Sequence, residues 1–291
     1  MGVVPSTWSR RAVALALVGV FALTAGACSS DDGGDASDGT TSSVEDATTT
    51  TAPPETLTIL VGNDDGVGAP GIAALVEALA AMPDTEIIVS APLEQQSGTG
   101  GKTTEGELVA TDATTARGHE AHAVAGFPAD AINWALDGGI DVTPDLVVTG
   151  INSGQNLGVI GDQVSGTIGA ARAAVAHGVP ALAASASAGE GVDYDLAATF
   201  VVEWVEEHRE ALLAGELDGE AVILENINIP NCSADQLRGV VEVPMATTAE
   251  GALTEPQDCA STLEGPTDDI VAFNNGFVAL SAIAFVPAPA A

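Results

Sequence analysis

From residue 57 onward, short apolar runs alternate with stretches in which apolar residues recur every three or four positions. Runs of the first kind lie at 57–61, 86–90, 146–149, 180–184 and 221–225, and most are bounded by Gly, Pro, Asn or Asp, a pattern that predicts buried strands. The second pattern predicts a helix over 71–81 with Ile72, Leu75, Val76 and Leu79 on one face, and another over 195–213 carrying Leu196, Phe200, Trp204 and Leu212. Shorter helices are expected over 128–136, with proline in the first turn, and over 167–177, ending at Gly178. Weaker strand patterns occur at 107–111 and 121–125, while 92–106 and 150–158 read as loops rich in Gly, Ser, Thr and Asn. Strand–helix alternation of this length implies an α/β fold, a mostly parallel sheet with helices on both faces. Beyond Ile229-Pro230 the pattern changes to short β runs at 239–243 and 276–285, expected to form an antiparallel, β-rich C-terminal extension.

The first 56 residues lack this alternation. Arg10 and Arg11 precede an uncharged apolar run at 12–25, followed by Ala25-Gly26-Ala27-Cys28. Basic, apolar and small residues in that order describe an export signal, and the run is too short for a membrane span. The small residues before Cys28 resemble a bacterial lipobox, which implies a lipidated cysteine and a membrane-anchored protein, with ordinary secretion as the alternative. Ser9-Arg10-Arg11 leaves general and twin-arginine export both open. Residues 29–56 are mainly Asp, Gly, Ser, Thr and Pro and predict a disordered tether. The expected organisation is therefore a signal at 1–28, a tether at 29–56 and one domain at 57–291, with its core at about 57–230 and the extension at about 231–291.

Seven Lys and Arg stand against 41 Asp and Glu, for a formal net charge of −34. Such a balance argues against a nucleic-acid backbone as partner, because phosphate contacts need basic patches. Past the signal the basic side chains are Lys102, Arg117, Arg172, Arg209 and Arg238, and Lys102 is the protein's single lysine. Cys232 and Cys259, in an exported chain, are expected to pair as a disulfide rather than act as nucleophiles.

Two familiar motifs are poor fits. Gly66-Val67-Gly68-Ala69-Pro70-Gly71 has the spacing of a dinucleotide fingerprint, but Asp64 and Asp65 stand immediately before it and Pro70 removes an amide from the cradle. Gly101-Lys102-Thr103 resembles the end of a P-loop, yet Gln96 occupies the position that needs glycine. A more coherent set combines Asp64 and Asp65 with Ser97 and Asn152, each just after a predicted strand and so at one edge of a parallel sheet. Their carboxylate, hydroxyl and amide oxygens suit a hard divalent cation. Ser165-Gly166-Thr167 opens a predicted helix, where free amides and the helix dipole favour an anion such as phosphate. Lys102, five positions after Ser97 in a glycine-rich loop, is a candidate point charge for the same phosphate.

Taken together, these motifs resemble the SurE family of survival-protein nucleotidases and acid phosphatases. The resemblance rests on Asn63-Asp64-Asp65-Gly66 with Ala69-Pro70-Gly71, Gln96-Ser97-Gly98, Gly126-Phe127-Pro128-Ala129-Asp130, the run from Pro144 through Gly154 with Asn156-Leu157-Gly158, Ser165-Gly166-Thr167 and Asn226-Ile227-Asn228-Ile229-Pro230, in that order. It implies a Rossmann-like core and a phosphomonoesterase acting on nucleoside monophosphates with one divalent cation, Mg²⁺ or Mn²⁺. It also implies metal ligands at Asp64, Asp65, Ser97 and Asn152, a phosphate pocket lined by Asn156 and Ser165-Gly166-Thr167, and a homo-oligomer. This chain departs from the family pattern at Gly101-Lys102, at Phe127, and at 159–164, where the usual Asp-Asp is missing. The competing class is a non-catalytic solute-binding lipoprotein, which has no need of adjacent carboxylates at a strand end.

Overall fold

The structure, a computed structural model, describes residues 55–249 and 256–284; the expected signal, Cys28 and nearly all of the tether lie outside them. The chain forms β1 (Leu57–Gly62), α1 (Pro70–Ala80), β2 (Thr85–Pro92), β3 (Ala110–Thr114), β4 (Glu120–Val124) and α2 (Pro128–Trp134). Then come β5 (Leu146–Ser153), α3 (Gly158–Val164), α4 (Gly166–Ala176), β6 (Ala181–Ala186), α5 (Tyr194–Leu213) and β7 (Leu224–Ile229). β8 (Val240–Glu242), α6 (Asp269–Asn274) and β9 (Val278–Ala282) complete it.

The strands make one nine-stranded sheet in the order β3-β4-β2-β1-β5-β6-β7-β9-β8. β4, β2, β1, β5, β6 and β7 run parallel. From β1 the chain moves outward through β2 and β4, then returns to the other side of β1 for β5, β6 and β7. Strand order therefore reverses between β1 and β5, and the crevice beyond their carboxyl ends is where ligands bind in open α/β sheets.

Helices α1 and α5 cover one face of the sheet, α2 and α4 the other. Leu60, Val147, Ile132, Ile168 and Val175 form the core under α2 and α4, where alanines of α4 and β6 let the layers approach closely. Each large aliphatic side chain buried there contributes about 1.5–3 kcal/mol. On the opposite face Gly71 of α1 abuts β5: a Cβ on it would lie 1.9 Å from the Ile151 carbonyl oxygen. The third glycine of the apparent dinucleotide fingerprint is thus a packing glycine.

Several boundaries differ from expectation. β3 occupies Ala110–Thr114 rather than 107–111, because the 115–119 turn sets the hairpin register through Thr115 N–H to His119 O and Gly118 N–H to Thr115 O. β5 runs on to Ser153 instead of stopping at 149, with a register shift between Thr149 and Asn152. α3 forms beyond Gly158, where no helix is expected. β7 begins at Leu224 rather than 221, since Ala221 closes a short 3₁₀ turn. On α5 the buried stripe is Ala197, Ala198, Val201, Trp204, Val205 and Leu212, with Leu196 and Phe200 only half-buried at its margin.

The C-terminal strands are not a separate antiparallel appendage. β9 pairs antiparallel with β7 and β8 pairs parallel with β9, so both prolong the main sheet. Leu157 packs with Val243, Ala246, Ile270 and Phe273, and the Asp269 carboxylate accepts N–H groups from Gly158, Ala246 and Ile270. Cys232 and Cys259 form a disulfide with a Cα–Cα distance of 5.6 Å. Among the described residues no helix is long and apolar enough to cross a membrane.

Candidate metal and phosphate site

Asp64 and Asp65 follow β1 after a single intervening residue, Asn63, at the carboxyl edge of the sheet beside β5. Asp64 is buried, 2% exposed. Its Oδ1 accepts the Thr167 hydroxyl proton at 2.7 Å, and its main-chain oxygen accepts Gln96 N–H at 2.7 Å. Burial raises its carboxyl from an ordinary 3.8 to about 6, with the neighbouring Asp65 charge adding to the rise and the Thr167 and Ser97 hydroxyls opposing it. Half-buried Asp65 accepts Ser153 N–H at 2.8 Å, and burial pushes its carboxyl upward too. Two desolvated carboxylates in tandem, with no basic side chain among the described residues paired to either, form a site that a cation would relieve.

The other expected ligands lie at the same carboxyl edge of the sheet. Ser97 lies in the loop after β2, close enough for its hydroxyl to lower the Asp64 carboxyl slightly, and its Oγ accepts Gln95 Nε2 at 2.8 Å. Asn152 sits on β5 itself, in register with Ser185 of β6. Its Nδ2 donates to Gly154 O at 2.6 Å, so Oδ1 is the atom it could offer to a cation. Among the described residues no cluster of three or more His, Cys, Asp or Glu side chains could hold a metal. Two carboxylates supplemented by neutral hydroxyl and amide oxygens therefore define the donor set, and it fits a hard cation such as Mg²⁺ or Mn²⁺.

The N-terminus of α4 meets Asp64 head-on. A Cβ on Gly166 would stand 2.7 Å from Asp64 Cβ and 3.1 Å from Pro128 Cγ, so only glycine permits this approach. Ser165 caps the helix, its Oγ accepting Ile168 N–H at 3.1 Å. The hydroxyl of Ser165 is thus engaged within the helix, and the Gly166 and Thr167 amides are the ones left to receive an anion. Asn156 lies beside them: its Nδ2 donates to Ser185 Oγ at 2.8 Å and to Thr167 Oγ1 at 3.3 Å.

Lys102 is exposed, and among the described residues it forms no ion pair. Its loop is tied to the site from two sides. Gly100 N–H donates to Val164 O, and a Cβ on Gly169 of α4 would fall 2.2 Å from Gly100 O. Thr104 is held by Asp130, whose carboxylate also accepts Phe127 N–H at the start of α2.

Sequence reasoning assigned no role to Asp130, Ser185, Asn226 or Asn228. The two asparagines carried a signal, since residues two apart in a strand share one face. Both are fully buried, and they grip the main chain of Asn156.

Comparison with known proteins bears on this geometry. The family model described as Survival protein SurE matches residues 59–251. A protein named 5'-nucleotidase SurE from Geotalea uraniireducens (strain Rf4) is 37% identical over 210 residues, covering 69% of this chain and 77% of its own length. Another of the same name, from Thermosynechococcus vestitus, is 34% identical over 188 residues, covering 64% of this chain and 68% of its own. The crystal structure of the SurE protein from Aquifex aeolicus superposes with a TM-score of 0.61 at 26% identity, covering 78% of this chain and 92% of that one.

Proposed function

The chain belongs to the SurE family, and on that membership we propose that it is a divalent-metal-dependent phosphomonoesterase of the 5'-nucleotidase type, releasing phosphate from nucleoside monophosphates. The observation that carries this reading is the tandem of desolvated carboxylates at the strand-order reversal, facing the N-terminus of α4. Asp64, Asp65, Ser97 and Asn152 would hold one Mg²⁺ or Mn²⁺. When bound, the cation supplies positive charge that polarises a phosphoryl oxygen and acidifies water.

The remaining work falls to side chains and amides of this chain. Thr167 holds the Asp64 carboxylate in one orientation through its hydroxyl. The Gly166 and Thr167 amides, at the positive end of α4, stabilise charge on the equatorial phosphoryl oxygens, as phosphoryl transfer requires. Ser165 keeps that first turn wound, and Asn156 orders the Thr167 hydroxyl. Lys102, on its tethered glycine loop, adds a point charge to the bound phosphate. In this reading the Asp64 carboxylate would also accept a proton from the attacking water.

The assay is phosphate release by the full-length protein from a nucleoside monophosphate and from a generic phosphate ester, with and without Mn²⁺. Metal-stimulated release is expected from both. No release with either would favour the solute-binding alternative.

We further propose that the protein is exported and lipid-anchored through Cys28. The order of residues at 1–28 supports this, as does a disulfide of the kind that persists in oxidising compartments. Cys28→Ser should move the protein from the membrane to the soluble fraction, and unchanged partitioning would overturn the anchor. Assembly as a homo-oligomer, proposed on the family resemblance, is open to light scattering, where a monomer mass would refute it.

A further inference from the structure

The phosphate chemistry above makes no use of Asn226 and Asn228, although both sit at 0% exposure in β7. Asn228 Oδ1 accepts Asn156 N–H at 2.7 Å and its Nδ2 donates to Asn156 O at 3.1 Å. Asn226 Nδ2 donates to the same carbonyl at 2.8 Å. A single side-chain amide thus pairs with both main-chain groups of one residue, as a neighbouring strand would. Aspartate at 228 would lack the donor, leucine would lack both groups, and glutamine would be one methylene too long.

The grip is transmitted to the carboxylate. Asn156 Nδ2 has two protons; one goes to Ser185 Oγ and the other to Thr167 Oγ1. A hydroxyl that accepts from an amide turns its own single proton elsewhere, and Asp64 Oδ1 lies 2.7 Å away to take it. Asn152, Ser185 and Asn228 occupy one cross-strand row, so the grip acts at the level of the site. Asn226 Oδ1 is buried and has no hydrogen-bond partner among the described residues. A buried acceptor left unpaired is a net cost, so the donor end of this side chain is what the fold retains.

We propose that Asn226 and Asn228 are positioning residues of the phosphate site: they fix the main chain of Asn156, whose amide then directs the Thr167 hydroxyl onto Asp64. The proposal rests on the reading of Asn156 and α4 as the phosphate pocket. It differs from a purely structural role, which would weaken every property of the protein in proportion to lost stability.

The test uses full-length Asn228→Ala, Asn228→Asp and Asn226→Ala, with Leu79→Ala in α1 as a destabilised control remote from the pocket. In Asn228→Ala, KM for a nucleoside monophosphate and the Kd for inorganic phosphate should each rise about 10-fold, and Mn²⁺ affinity should fall as well because the Thr167 hydroxyl no longer fixes Asp64. Asn228→Asp, which keeps only the acceptor, should lose nearly as much. Asn226→Ala, which leaves Asn228 holding the carbonyl, should lose less. Amide exchange should quicken at 154–158 and 166–168 in the Asn228 variants and not in Leu79→Ala. If KM and phosphate affinity move no further in Asn228→Ala than in the control, the proposal is overturned. Should the parent hydrolyse no phosphate ester at all, the proposed function falls and amide exchange still decides this one: unchanged exchange at 166–168 refutes it.

Discussion

At the scale of single residues, the site is a balance of charges. Asp64 and Asp65 are each raised toward protonation by burial, so the metal-free protein carries an electrostatic penalty there. Asp64→Asn removes a desolvated charge at nearly constant volume, and its metal-free Tm should exceed that of the parent at pH 7. Its metal-dependent activity should fall by more than about 100-fold, because a direct ligand matters at least as much as the groups that orient ligands. The parent at an Mn²⁺ concentration about 100 times its Kd should gain about 2.7 kcal/mol, or about 5–10 °C in Tm, read by calorimetry. Asp65→Ala should show neither the gain nor the activity. A variant that retains both would remove the pair from the mechanism. Lys102→Gln should raise KM for a phosphate ester with metal affinity unchanged; kinetic constants identical to the parent's would leave the phosphate to the α4 amides.

At the scale of elements, legibility tracked how far local pattern decides the outcome. β1, α1, β2 and α4 were readable within one or two residues because a hydrophobic period and a Pro, Gly or polar cap agreed. β3 was misplaced because Leu108 and Val109 look like strand residues, yet the turn at 115–119 sets the hairpin register and leaves Val109 59% exposed. Asn226 and Asn228 ended the predicted β7 early, since two amides in an apolar run resemble a loop until Asn156 arrives from β5 to use them. The proposed ligand set can be assembled from strand ends alone, whereas Ser185 and the grip on Asn156 need the register of β5, β6 and β7. Between α5 and β7, the Glu225 carboxylate accepts Trp204 Nε1–H at 2.7 Å, and burial raises its carboxyl above the ordinary 4.5. An acid whose folded pKa is raised contributes stability that is fully present below its unfolded value and lost as pH rises through the folded one. Glu225→Gln, which keeps an acceptor for Trp204, should therefore melt above the parent at pH 7, and the gap should close toward pH 4. A gap that widens on acidification would contradict this sign.

For the molecule as a whole, the last third of the chain serves the site from behind. β9 and β8 extend the sheet beyond β7, and Asp269 secures Gly158, two residues after Asn156. The disulfide closes a separation of 27 residues, for which loop entropy gives about 3–4 kcal/mol of stabilisation. Reduction, or a double Cys232→Ser and Cys259→Ser variant, should lower Tm by several degrees while KM stays near the parent's; an unchanged Tm would show that the cross-link adds nothing. The reversal of strand order between β1 and β5 has a consequence for timing. Both carboxylates leave the ribosome early, but Asn152 and the opening turn of α4 follow about 90–100 residues later, and the asparagines that steady Asn156 some 60 residues after those. No partial chain holds a finished pocket, so with the proposed ligand set the folding scaffold has to carry two crowded negative charges before a complete cation site exists.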